Sequence, residues 1–197
     1  MASISLKYKS KSGNLTAPGD VDPGAMIPIA TTTLSTSTAT ITFSNIPQEY
    51  QHLQIRGIGR STATQSFAGL RLRVGSGSVD TGGNYSTHLL YGDGSSAISQ
   101  GYSSTSETYM GTLSAANDTA NAFGVAVFDF LDYANTNIYK TVRVLQGVDT
   151  NGTGYVHLNS AGWRSTSAIN TISLYPSGGN FAQYSSFALY GIKRAGA

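Results

Sequence analysis

The chain has no cysteine. A disulfide framework, a thiolate metal centre and a cysteine nucleophile are therefore excluded. Charge is the second scarcity: Asp, Glu, Lys and Arg make up 11% of the 197 residues, against about 25% in ordinary soluble domains. Twelve basic and ten acidic residues leave a net charge of +2, too weak a field to gather an acidic polymer, so nucleic acid is not an expected partner. No apolar run approaches the roughly 20 residues that cross a bilayer as a helix. The N-terminus lacks the continuous apolar stretch of a signal peptide, so no membrane partner is expected and synthesis is expected in a cytoplasm. Also missing are a capped 3.6-residue apolar period, a P-loop, a G-x-S-x-G elbow and a dinucleotide fingerprint. The glycines of "GIGRSTATQSFAG" have no helix behind them. No cofactor is expected.

What is present is alternation. Apolar and polar residues take turns over short runs rich in β-branched and aromatic types, separated by Gly, Asn, Ser and Pro, which predicts strands almost throughout. "STATITFSNIP" places Ile41 and Phe43 on one face and Thr38, Thr40 and Thr42 on the other. "YQHLQIRGIGR" sets Leu53 and Ile55 against His52, Gln54 and Arg56, and "FAGLRLRV" sets Leu70, Leu72 and Val74 against Arg71 and Arg73. Gly75 to Ser106 reads as long loops around one strand, "NYSTHLLYG". The most hydrophobic stretch, "AFGVAVFDFLDY", predicts a central strand covered on both faces. Asn151-Gly152 is the strongest hairpin signal in the chain. Nine or ten short strands at regular spacing predict an all-β fold, a jelly-roll-like antiparallel β-sandwich over residues 25–197, preceded by an extended N-terminal arm over residues 1–24.

Candidate chemistry is sparse. His52, His88 and His157 lie on separate strands without ligand spacing, so a shared metal or catalytic site is not expected. Asp129 and Asp132 stand three apart, which on a strand puts them on opposite faces and about 10 Å apart, a poor acid and base pair. Asp132 fits better as a turn former with Asn135. Asp149-Thr150-Asn151-Gly152 and Asp20-Val21-Asp22 only faintly resemble calcium loops. They read as a hairpin turn and a linker, and no metal is expected. Tyr85, Tyr91, Tyr102 and Tyr109 are the candidates for glycan contact, since a hydroxyl-rich, weakly charged surface with aromatic faces suits sugar. Trp163 is a further aromatic candidate, with burial at the core's edge as the safer reading.

In the arm, Ile4, Leu6 and Tyr8 alternate with Lys7 and Lys9, and Lys11 continues the basic series. An extended segment of this pattern has apolar teeth on one side and charge on the other, the form of a strand added to a neighbour's sheet edge. A solvated tail is the alternative.

Three segments, "IPQEYQHLQIRGIGRS" (Ile46 to Ser61), "WRSTSAINTISLYPSGGNFAQYSSFALYGIK" (Trp163 to Lys193) and "GAMIPIATTTL", resemble a family of bacteriophage virion structural proteins common in phages of cyanobacteria and other aquatic bacteria. The C-terminal "SSFALYGIK" is its most distinctive motif. The resemblance implies a β-sandwich located in the virion, made in the host cytoplasm and without catalytic residues. Its leading form is a capsid decoration, or cement, protein that binds the major capsid protein and neighbouring copies of itself through the arm, as a homo-oligomer on the virion. The alternative is a tail-fibre or tail-tip module that binds host surface glycan. A glycan hydrolase is a third reading, disfavoured by the carboxylate spacing.

Overall fold

The structure, a computed structural model, describes residues 25–194. Thirteen strands occur in this span, and no helix does: β1 (Met26–Thr33), β2 (Ile41–Phe43), β3 (His52–Gly59), β4 (Phe67–Ser76), β5 (Ser78–Val79), β6 (Tyr85–Gly92), β7 (Ala97–Thr105), β8 (Thr108–Ser114), β9 (Gly124–Phe130), β10 (Lys140–Asp149), β11 (Gly154–Trp163), β12 (Thr171–Pro176) and β13 (Ser186–Ile192). They form two antiparallel sheets. The larger has eight strands in the order β1-β13-β3-β9-β10-β11-β6-β7, and the smaller contains β2-β12-β4-β5 with β8 also paired to β4. The all-β antiparallel sandwich expected from alternation is the observed architecture.

The core lies between the sheets. Leu53, Ile55, Phe128, Phe130, Val144, Phe187 and Leu189 come from the large sheet, and Leu70, Leu72, Val74, Ile172 and Leu174 from the small one, all buried. Each such side chain contributes roughly 1.5–3 kcal/mol by leaving water. This alternation matches the sequence pattern strand by strand in β3, β4 and β13.

Two expectations need correction. Gly75 to Ser106 holds three strands, β5, β6 and β7, where one was expected. β7, "AISQGYSST", is almost wholly exposed at the sheet edge. It is held by backbone pairing to β6 and so carries no apolar period. The stretch around β9 is central, between β3 and β10, but it is not covered on both sides by the described residues. Ala126, Phe128 and Phe130 face the core, while Val125 is 54% exposed. Its outer face is apolar without being covered by the described residues.

Between β10 and β11 the chain turns on Asn151 and Gly152, both with positive φ (61° and 113°). Such a turn matches the right-handed twist of the strands it joins. Thr150 N–H donates to the Thr153 carbonyl at 2.9 Å, and the strands then run in unbroken register from Asp149↔Gly154 to Lys140↔Trp163.

Arg60 follows β3 and is buried without a carboxylate partner. Its guanidinium donates to the carbonyls of Ala115 (2.6 Å), Thr119 (2.7 Å), Ala122 (2.8 Å) and Asp118 (3.1 Å), and to Ser114 Oγ (3.4 Å). One side chain thus satisfies the backbone of the loop that carries the chain from β8 to β9. Replacing Arg60 with Met keeps the length and removes the donors, leaving several carbonyls unpaired. Arg60→Met is expected to cost about 3 kcal/mol or more in denaturant unfolding, and a loss below about 1 kcal/mol would show that the loop does not rely on it.

Candidate functional site

The four tyrosines proposed for glycan contact separate into one and three. Tyr85 is fully buried. Its hydroxyl donates to the Val74 and Asp80 carbonyls (2.8 and 2.9 Å) and accepts from Val74 N–H (3.1 Å), and desolvation pushes its phenol up to about 12. It is a core residue that ties β6 to the end of β4, and its assignment as a glycan contact is withdrawn. Tyr91, Tyr102 and Tyr109 converge on one open cleft of about 740 Å³.

Five strands build that cleft. The inner face of the large sheet continues past β8, so Thr87 and Tyr91 of β6, Gln100 and Tyr102 of β7, and Tyr155 and His157 of β11 are not all roofed by the small sheet. Phe67 and Arg71 of β4, Tyr109 and Thr112 of β8, and the intervening Glu107 form the facing wall. The aromatic rings are packed on each other. Tyr91 stacks on His157 with centroids 5.1 Å apart, Tyr109 meets His157 edge-on at 5.7 Å, and Phe67 meets Tyr155 at 5.0 Å and 90°.

The wall is positioned by a bulge. Register between β4 and β8 shifts at Leu70/Arg71, where Gly111 adopts a φ of 130° and a Cβ would lie 2.6 Å from Gln146 Oε1. In place of a ladder bond, Gln146 from β10 accepts from Thr112 N–H (3.1 Å) and donates to the Thr112 carbonyl. Asn159 donates to the Tyr109 carbonyl at 3.0 Å, and the Tyr109 hydroxyl shares a 2.7 Å hydrogen bond with Thr112. Desolvation raises the Tyr109 pKa, so the phenol stays protonated at neutral pH.

Charge in the wall is compensated. Arg71 lies 4.9 Å above the Tyr109 ring, with Nε 3.6 Å from Glu107. Glu107 also pairs with Arg73 at 3.1 Å and accepts from the Tyr175 hydroxyl at 2.6 Å. The Tyr175 phenol is raised first by burial and then by that carboxylate. Arg71 Nε, Thr87 Oγ1 and His157 Nδ1 are buried polar atoms without a hydrogen-bond partner in the protein, and all three residues line the cleft.

The remaining candidates are dispersed. His52 accepts from Asp132 N–H at 3.0 Å, beside the turn in which Asn135 N–H donates to the Asp132 carbonyl. His88 is exposed on the outer face of β6. For Asp129, burial alone would raise the pKa, but hydrogen bonds from Arg143 and Gln54 outweigh it and hold the carboxyl below its ordinary value. Neither Asp129 nor Asp132 lines the cleft. Asp149 accepts from Asn151 N–H within the hairpin turn, and no group of three metal-ligating side chains exists among the described residues. Trp163 is buried and donates to Asp80 at 2.8 Å. The arm residues Ile4, Leu6, Lys7, Tyr8, Lys9 and Lys11, with Asp20 and Asp22, lie outside the described residues.

Compared with family profiles, curated proteins and solved structures, the chain matches none.

Reasoning from sequence missed Phe67, Arg71, Glu107 and Tyr155, and set His157 aside for want of a ligand spacing. For Tyr155 and His157 a signal existed: "YVHL" puts both on one face, opposite Val156 and Leu158. Apolar residues are ordinarily assigned to the core, however, and here Val156 and Leu158 face outward.

Burial pushes the His157 imidazole down to about 4. Between an unfolded value of about 6.5 and that level, the unfolded chain binds a proton that the folded chain refuses. The contribution is complete above about pH 6.5 and is lost as the pH falls toward 4, on the order of 3 kcal/mol. In urea unfolding at neutral and mildly acidic pH, His157→Gln is expected to flatten this part of the stability profile. Equal slopes for variant and wild type would show that the imidazole titrates as if exposed.

Proposed function

We propose that the protein is a non-enzymatic structural component of a bacteriophage particle and that its cleft holds a saccharide unit of the host surface, as a tail-fibre or tail-tip module would. The observation that carries this reading is the coincidence, in one cleft, of stacked aromatic rings with Arg71, Thr87 and His157, each of which has a polar atom without a hydrogen-bond partner in the protein. A pyranose supplies both complements: a C–H face that lies against Tyr rings, and hydroxyls that donate and accept. The cleft volume of about 740 Å³ falls within the range of small-ligand sites. Because Glu107 compensates Arg71 and Arg73, the site favours a neutral sugar over an acidic one.

Binding is favoured over turnover. Glycoside hydrolysis ordinarily needs two carboxylates flanking the bond. Among the residues lining the cleft, Glu107 is the only carboxylate, and it is engaged by two arginines and a tyrosine. The decoration reading, with the major capsid protein and neighbouring copies as partners, is the second. The aliphatic outer face of the large sheet favours it, since a shell component must meet other protein.

The test is a glycan array probed with the full chain, followed by titration calorimetry on the hits. Tyr91→Ala and Tyr102→Ala are each expected to weaken binding about tenfold, the worth of one stacking contact. Tyr102→Ala is expected to leave thermal unfolding nearly unchanged, because the residue is 46% exposed on an edge strand. Absence of any bound glycan, together with no saturation-transfer signal from simple hexoses, would remove the saccharide reading.

A further inference from the structure

The outer face of the large sheet carries two adjacent apolar rows. In the first, Ile58, Val125, Gly147 and Val156 are cross-strand neighbours on β3, β9, β10 and β11. In the second, Val127, Leu145, Leu158 and Leu90 follow one another across β9, β10, β11 and β6. Ile58, Leu90, Val125, Leu145, Val156 and Leu158 are each between 42% and 62% exposed. Together they present on the order of 600 Å² of aliphatic surface, the upper end of what a monomer leaves open. The next row is polar, with Gln54, Asp129 and Arg143 joined by hydrogen bonds and a 2.7 Å ion pair.

We propose that this face is the interface between two copies of the chain, packed sheet against sheet about a twofold axis. The area carries the argument. A stable pairwise interface covers about 800 Å² per partner with an apolar core and a polar rim, and two aliphatic rows edged by an ion-paired row supply both parts at that scale. A pleated face of branched aliphatic side chains is also self-complementary, the condition for a twofold contact. The proposal is independent of what the cleft binds, because the cleft lies on the opposite face of the large sheet.

Sedimentation velocity of the full chain across micromolar concentrations tests it. The wild type is expected to sediment as a dimer. The Leu145→Lys/Val156→Lys variant is expected to raise the dissociation constant about a hundredfold or more, because each copy would bury unpaired charge. A second variant, Leu145→Thr/Val156→Thr, keeps strand-forming side chains and guards against misfolding as the cause of any loss. Since the chain has no cysteine, Leu158→Cys provides a unique thiol, and a short bis-maleimide is expected to link it to its counterpart in the dimer. A monomeric wild type overturns the proposal. In a monomer, a shielded Cys at 158 would assign the face to the chain's own N-terminal segment, and a freely reactive one would assign it to a different polypeptide. Saccharide binding retained by the lysine variant would separate this outcome from the fate of the cleft.

Discussion

The pairing of β10 with β11 through the two-residue Asn151-Gly152 turn governs which side chains meet the core and which meet solvent. Side chains alternate strictly along a strand, so a slip of one residue would exchange the two faces of β11 completely. The tight turn permits no slip: Asp149 faces Gly154 and every later pair follows, down to His157 beside Gln146 and Leu158 beside Leu145. Tyr155, His157 and Asn159 are thereby directed inward, and Val156 and Leu158 outward. Both the cleft and the aliphatic face are consequences of that single phase.

A second constraint is the unequal width of the sheets, eight strands against five. A narrower sheet cannot roof a wider one, so part of the inner face at β11, β6 and β7 remains open. Ordinarily such a margin would be filled by aliphatic side chains from a loop. Here it is lined by aromatic rings and hydroxyls, and β8 is held beside it by the Gln146 amide acting through the Gly111 bulge. Bulges commonly re-aim side chains next to binding sites. This one sets Tyr109 over His157 and under Arg71.

The chemistry of the cleft accords with the proposed binding of a ligand rather than its turnover. Glu107 is surrounded by cations and a phenol, the buried imidazole is depressed well below neutrality, and the Tyr109 phenol is raised. Neither the imidazole nor the Tyr109 phenol is poised to exchange a proton near pH 7, the property a general acid or base requires. Stacked rings beside polar side chains are what the proposed saccharide would meet. On the two proposals, the large sheet would serve recognition on its inner face and association on its outer face.

By itself the sequence determined the fold class, the strands whose apolar residues alternate cleanly, such as β3, β4 and β13, and the hairpin at Asn151-Gly152, because these depend on local periodicity and turn chemistry. It also named four tyrosines as candidates for glycan contact, of which three line the cleft. Only the tertiary structure decided which three. Tyr85 and Tyr91 sit six residues apart on the same face of β6, yet one lies under β4 and the other beyond the edge of the small sheet. That difference is set by where a neighbouring sheet ends, which no local pattern encodes. The same holds for β7, which backbone pairing alone retains, and for Val125, Val156 and Leu158, whose hydrophobicity predicts burial while the register turns them outward.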